Sequence, residues 1–114
     1  MIALIQKYWL HITLILLASI ATASLWPAAY LPDVPGTDKT HHFIAYGALM
    51  FPTALKQPKH FLIITLGFIT FSGAIELIQP YVNRYGEWLD MVANALGLIC
   101  GWILAKVSLS ISRK

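Results

Sequence analysis

The residues able to do chemistry in this chain recur at helical spacing between positions 38 and 101. Asp38, Lys39, His42 and Tyr46 come first, then Glu76 and Gln79, then Arg84, Asp90 and Asn94. Carboxylate and amide oxygens suit a hard divalent cation such as Ca²⁺ or Mg²⁺, which makes Glu76, Gln79, Asp90 and Asn94 a candidate metal set. Such an ion would neutralise a phosphate and polarise its P–O bond. His42 is a candidate general base, because imidazoles titrate near neutral pH. Glu76 and Tyr46 are candidate catalytic partners, with Tyr46 placed to orient the imidazole or donate to a ligand. Lys39 and Arg84 are candidate phosphate binders, Arg84 through two parallel hydrogen bonds, with Asp38 and Gln79 as further candidate substrate-binding residues. A metal-free version, with Glu76 paired to Arg84 and His42 as the titrating group, fits the sequence equally well.

The elements that must position these groups are apolar helices. Of the 114 residues, 58% are hydrophobic and only 11% are charged, against about a quarter charged in a soluble domain. A soluble chain this short has too little interior to hide that much apolar surface, so a bilayer is the expected solvent. One domain over residues 1–114 is expected, with apolar runs at about 8–26, 41–55, 61–79 and 88–107. Three of these approach the roughly 20 residues that cross a bilayer core, and the second, shorter run is expected to tilt or enter late. Pro27 and Pro80 close the first and third. The expected fold is all-α: an integral membrane four-helix bundle with short loops.

Loop charge sets the expected orientation. With both termini inside, Lys7, Lys56, Lys59, Lys106, Arg113 and Lys114 lie on the cytoplasmic side and only Lys39 and Arg84 outside. This N-in, C-in arrangement puts Asp33, Asp38, Glu76, Glu87 and Asp90 at or near the outer face. Ala21-Thr22-Ala23 after an apolar stretch also resembles a signal-peptide cleavage site. The run is longer than a typical signal core, so a retained first helix is the expectation. The net charge of +3 is scattered beside apolar runs, which argues against nucleic-acid binding. Cys100 has no partner for an internal disulfide and reads as a small buried hydrophobe.

Helical phase sorts the candidates. At about 100° per residue, Asp38, Lys39, His42 and Tyr46 share an arc of about 100°, and His41 falls outside it. Ser72, Gly73, Glu76 and Gln79 share about 120°, and Asp90, Asn94, Gly97 and Gly101 about 60°. Asp38 also fits a helix cap and Asp90 a first-turn acid. Gly97 and Gly101 form a small-xxx-small pattern whose expected role is helix packing. Asn94 fits interhelical glue as well as a ligand, and Trp9, Trp26, Trp88 and Trp102 read as interfacial anchors. Glu76 resists a bland explanation, because a carboxylate among Ile75, Leu77 and Ile78 within an apolar span is costly unless paired, metal-bound or neutralised. His11 and His60 lie away from this group and carry no assignment.

These residues resemble the VanZ-like family of bacterial membrane proteins. Its first motif, Asp-Lys-x-x-His-x-x-x-Tyr, matches Asp38, Lys39, His42 and Tyr46. Its second, Glu-x-x-Gln, then an arginine, then Asp-x-x-x-Asn-x-x-Gly-x-x-x-Gly, matches Glu76, Gln79, Arg84, Asp90, Asn94, Gly97 and Gly101. The chain departs from the family in having little beyond the four-helix core. The resemblance implies a multi-pass protein of the bacterial inner membrane with its polar site facing outward. It also implies a link to resistance to the glycopeptide teicoplanin, for which the family is named. A more distant likeness reaches enzymes that exchange phospholipid head groups, such as phosphatidylserine synthases. The expected partners are membrane lipids. The expected function is binding and modification of the head group of a phospholipid or polyprenyl-linked envelope lipid, by transfer or hydrolysis. A non-catalytic protein that binds or masks such a lipid is the alternative, and a small transporter or channel subunit is disfavoured because no polar path continues inward.

Overall fold

Hydroxyl side chains inside apolar helices need a partner wherever they face hydrocarbon, and here they find one locally. Thr13, Ser19, Thr65 and Thr70 each donate to the carbonyl four residues back, at 2.7–2.9 Å. In the computed structural model, residues 1–25, 38–79 and 88–112 are described, with Asp38, Lys39 and Trp88 described by their backbone alone. Five helices follow in order: α1 (Ile2–Lys7), α2 (Trp9–Leu25), α3 (Asp38–Lys56), α4 (Phe61–Ile78) and α5 (Trp88–Ser112). Among the described residues there is no strand.

Three boundaries depart from the hydropathy reading. A short helix, α1, precedes the first apolar run, and Tyr8, with φ of −108° and ψ of 21°, opens the joint between α1 and α2. Hydrogen bonding continues across the joint, from Tyr8 N–H to Leu4 and from Ile12 N–H to Tyr8. Helix α3 starts at Asp38 rather than near 41, and α5 continues past 107 to Ser112. Polar turns at helix ends carry no apolar signal, so hydropathy truncates them.

Two helices are long and apolar enough to cross a membrane. They are Phe61–Ile78 and Leu89–Ser112, with mean hydropathies of 2.1 and 1.7. Only 17% and 28% of these stretches is buried, so most of their apolar surface faces outward. Leu62, Ile63, Leu66 and Leu77 on α4 and Leu96, Ile99 and Leu104 on α5 are each more than half exposed. An exposed apolar area of this extent marks an interaction surface rather than a water-facing one. Helix α3, with its polar first turns, is less apolar and is the most enclosed: Tyr46, Leu49, Met50, Thr53, Ala54 and Leu55 are all nearly inaccessible.

Glycine decides how α3 meets α5. The helices run parallel, with His42 opposite Asn94, Phe43 opposite Gly97 and Gly47 opposite Gly101. A Cβ added at Gly97 would collide with the Phe43 carbonyl oxygen, and one at Gly101 with the Gly47 carbonyl oxygen. The two backbones therefore touch, as small-residue helix contacts permit. Helix α2 runs antiparallel along α3, where Thr13 Oγ1 lies 3.5 Å from Thr53 Oγ1. Gln6 of α1 donates to the Leu55 carbonyl at 2.6 Å, tying the start of the chain to the end of α3. There α3 stops at Gln57, whose φ of 54° is left-handed and whose N–H closes on Thr53 at 3.0 Å. Pro58 follows and α4 begins at Phe61, so the turn is tight and α4 returns antiparallel to both α3 and α5.

Candidate functional site

The alternating helix directions bring the start of α3, the end of α4 and the start of α5 to one end of the molecule. His42 sits in the second turn of α3, Glu76 in the last turn of α4, and Asp90 and Asn94 in the first two turns of α5. One donor atom from each of His42, Glu76 and Asp90 lies within 4.8 Å of the other two. His42 Nε2 is 3.9 Å from Asp90 Oδ2, with the Asp90 carboxylate almost fully enclosed.

A chain of hydrogen bonds fixes the imidazole. Asn94 Nδ2 donates to Ser72 Oγ at 2.7 Å, which turns the amide oxygen toward His42. His42 Nδ1 then donates to Asn94 Oδ1 at 2.9 Å. Nδ1 thereby carries a proton, and Nε2 faces the Asp90 carboxylate. Ser72 and Asn94 are each 2% exposed, so neither partner exchanges readily with water. The result is an imidazole held by a buried amide on one side and facing two carboxylates on the other.

Tyr46 lies one turn below His42 on α3 and is 1% exposed. Its hydroxyl is beside Ser72 and Glu76 yet makes no hydrogen bond among the described residues. Gln79 is equally enclosed; its Nε2 donates to the Ser24 carbonyl at the end of α2, at 3.0 Å, while its Oε1 has no hydrogen-bond partner among the described residues. Gly97 and Gly101 lie below Asn94 on the same face, at the contact with α3 that holds His42 against Asn94.

The sequence-derived candidates divide accordingly. His42, Tyr46, Glu76, Asp90 and Asn94 come together. Gln79 turns its amide to α2, and Asn94 uses its amide to hold His42 rather than joining a purely oxygen ligand set. The side chains of Asp38 and Lys39, and Arg84 altogether, lie outside the described residues. Ser72 shares the Glu76 face in the sequence, but its part as acceptor for Asn94 appears only when α4 and α5 are brought together.

Beside this cluster an apolar groove of about 500 Å³ opens between α1, α2, α3 and α5. It starts at Phe43, next to His42, and follows Gly47, Ala48 and Phe51 toward the other end of α3. Residues 2–109 match the family model described as VanZ/LLP1. No curated protein and no solved structure matches the chain.

Proposed function

The chain belongs to the VanZ/LLP1 family, and we propose that it is a multi-pass protein of the bacterial inner membrane that binds and modifies a lipid head group. In this reading α1 and α2 together form the first span, α3, α4 and α5 the other three, and both termini face the cytoplasm. The cluster around His42 then lies at the outer leaflet, at head-group depth. The observation that carries the reading is the enclosed His42–Glu76–Asp90 group at one end of helices with apolar outer faces. Charged groups in such a place are retained for function far more often than for stability. The groove beginning at Phe43 is a fitting place for an acyl or polyprenyl chain whose head group sits at His42.

The substrate class is a phospholipid or polyprenyl-linked envelope lipid. In the reaction, the oxygen of an incoming alcohol or water forms a new P–O bond while the P–O bond to the departing head group breaks. The proton of the incoming hydroxyl ends on the departing alkoxide. Lys39 and Arg84 neutralise the lipid phosphate, with Asp38 and Gln79 as further substrate-binding residues. Changed envelope lipids would alter access of a glycopeptide such as teicoplanin to its target.

Lipid mass spectrometry of cells expressing the wild-type chain, the His42→Gln variant or neither tests this. The expected result is a head-group change with the wild type that is lost with His42→Gln at equal membrane abundance. Identical lipid profiles in all three would overturn the reading. A full effect retained by His42→Gln would instead favour a non-catalytic lipid-binding protein.

A further inference from the structure

We infer that His42, Glu76 and Asp90 are the protein ligands of one first-row divalent metal ion of the Zn²⁺ or Mn²⁺ class. The inference deepens the head-group reading, since it names what would polarise the phosphate, but it rests on geometry of its own. A ring nitrogen of His42 and a carboxylate oxygen from each of Glu76 and Asp90 lie within 4.8 Å of one another, and Nε2 is 3.9 Å from Asp90 Oδ2. Ligands about 2.0–2.2 Å from a tetrahedral ion stand about 3.4 Å apart, so closing on a metal takes small side-chain adjustments.

Two further observations point to an ion. First, the far nitrogen of His42 donates to Asn94, which is held in turn by Ser72. Metal-bound histidines almost always donate their other N–H in this way, which fixes the tautomer with its lone pair toward the ion. Second, the enclosed Tyr46 hydroxyl lies beside Glu76 without a hydrogen bond among the described residues. It is placed to meet a water or phosphate oxygen on the ion's open position.

The donor set argues for the metal's identity. An imidazole nitrogen suits Zn²⁺ and its first-row neighbours, and carboxylates extend the range to Mn²⁺. Ca²⁺ takes 6–8 oxygens, whereas here one of the three converging groups is an imidazole and the Asn94 amide oxygen already accepts from His42 Nδ1. With its lone pair on the metal, His42 is a ligand and not a general base. That role moves to a metal-bound water or to a carboxylate.

The test uses the full chain purified in detergent and stripped with a chelator. Mn²⁺ is titrated by loss of the free-ion electron paramagnetic resonance signal, and Zn²⁺ by calorimetry. One equivalent of either ion is expected to bind, with His42→Gln and Glu76→Gln weakening binding at least 100-fold and His41→Gln leaving it unchanged. Ser72→Ala, which touches no ligand directly, is expected to weaken binding about 10-fold. A tenfold excess of Ca²⁺ should not compete. Absence of stoichiometric binding by helical wild-type protein would overturn the inference, as would undiminished binding by both variants or equal binding of Ca²⁺. Metal bound normally by a protein that leaves cellular lipids unchanged would instead sink the head-group reading and leave the metal site standing.

Discussion

His42 donates from Nδ1 to the side-chain oxygen of Asn94 across the α3–α5 contact, at 2.9 Å. That bond joins residues far apart in the chain and decides which nitrogen of the imidazole is available for chemistry. It depends on Ser72, which accepts from the other end of the same amide.

Ser72→Ala therefore leaves a buried amide N–H without its acceptor and lets Asn94 turn away from His42. A loss of about 1–3 kcal/mol in unfolding free energy is expected, measured by denaturation in detergent. Replacing both partners, as in Ser72→Ala with Asn94→Leu, should be less destabilising than the two single changes added together, because neither end of the Ser72–Asn94 bond is then stranded and the loss of the His42 Nδ1 acceptor is counted once. A strictly additive double variant would show that the two side chains are not coupled.

The glycines of the α3–α5 contact give a graded prediction. Gly97→Ala and Gly101→Ala each force a methyl group onto backbone carbonyl of α3 and should destabilise by roughly 1–3 kcal/mol. Gly67→Ala on α4 meets nothing within 4 Å and should be neutral or stabilising by up to about 1 kcal/mol. Thermal unfolding of the three variants in one detergent makes the comparison. Equal behaviour at Gly97 and Gly67 would contradict the backbone contact.

The proposed orientation is open to labelling. In a Cys100→Ser background, a cysteine at Thr40, at the exposed start of α3, should react with a membrane-impermeant maleimide in spheroplasts. Cysteines at Lys59 or Ser112, at the other end, should react only after lysis. The reverse pattern would place the His42 cluster in the cytoplasm.

How much of this was legible in the sequence varies by residue. Helical phase alone separates His42 from His41, and in the fold it is His42 that meets Asn94 and Asp90. Gly97 and Gly101 announce a close contact through their spacing, but their counterpart, Gly47, stands alone on α3 and gives no such signal. Contact between parallel helices separated by a whole intervening helix is a long-range fact that local pattern does not encode. The sequence groups His42 with Glu76 and Tyr46 as catalytic candidates and puts Asp90 in a separate ligand set; that His42, Glu76 and Asp90 converge on one point is read only from the fold, since a wheel compares residues within one helix. Pro52, which by residue type argues for a helix end, lies buried within α3, where it removes one backbone donor without ending the helix.

Helices α4 and α5 have unequal lengths, and that has a consequence for where the protein works best. At 1.5 Å per residue, the 18 residues of α4 span about 27 Å and the 25 of α5 about 37 Å, against a hydrocarbon core of about 30 Å. In the proposed topology α5 absorbs the mismatch by tilting or by extending beyond the lipid, while α4 carries Glu76 in its last turn. In that topology bilayer thickness becomes a control on the proposed site. Short-chain lipids leave Glu76 among the head groups, and long-chain lipids draw it down into hydrocarbon.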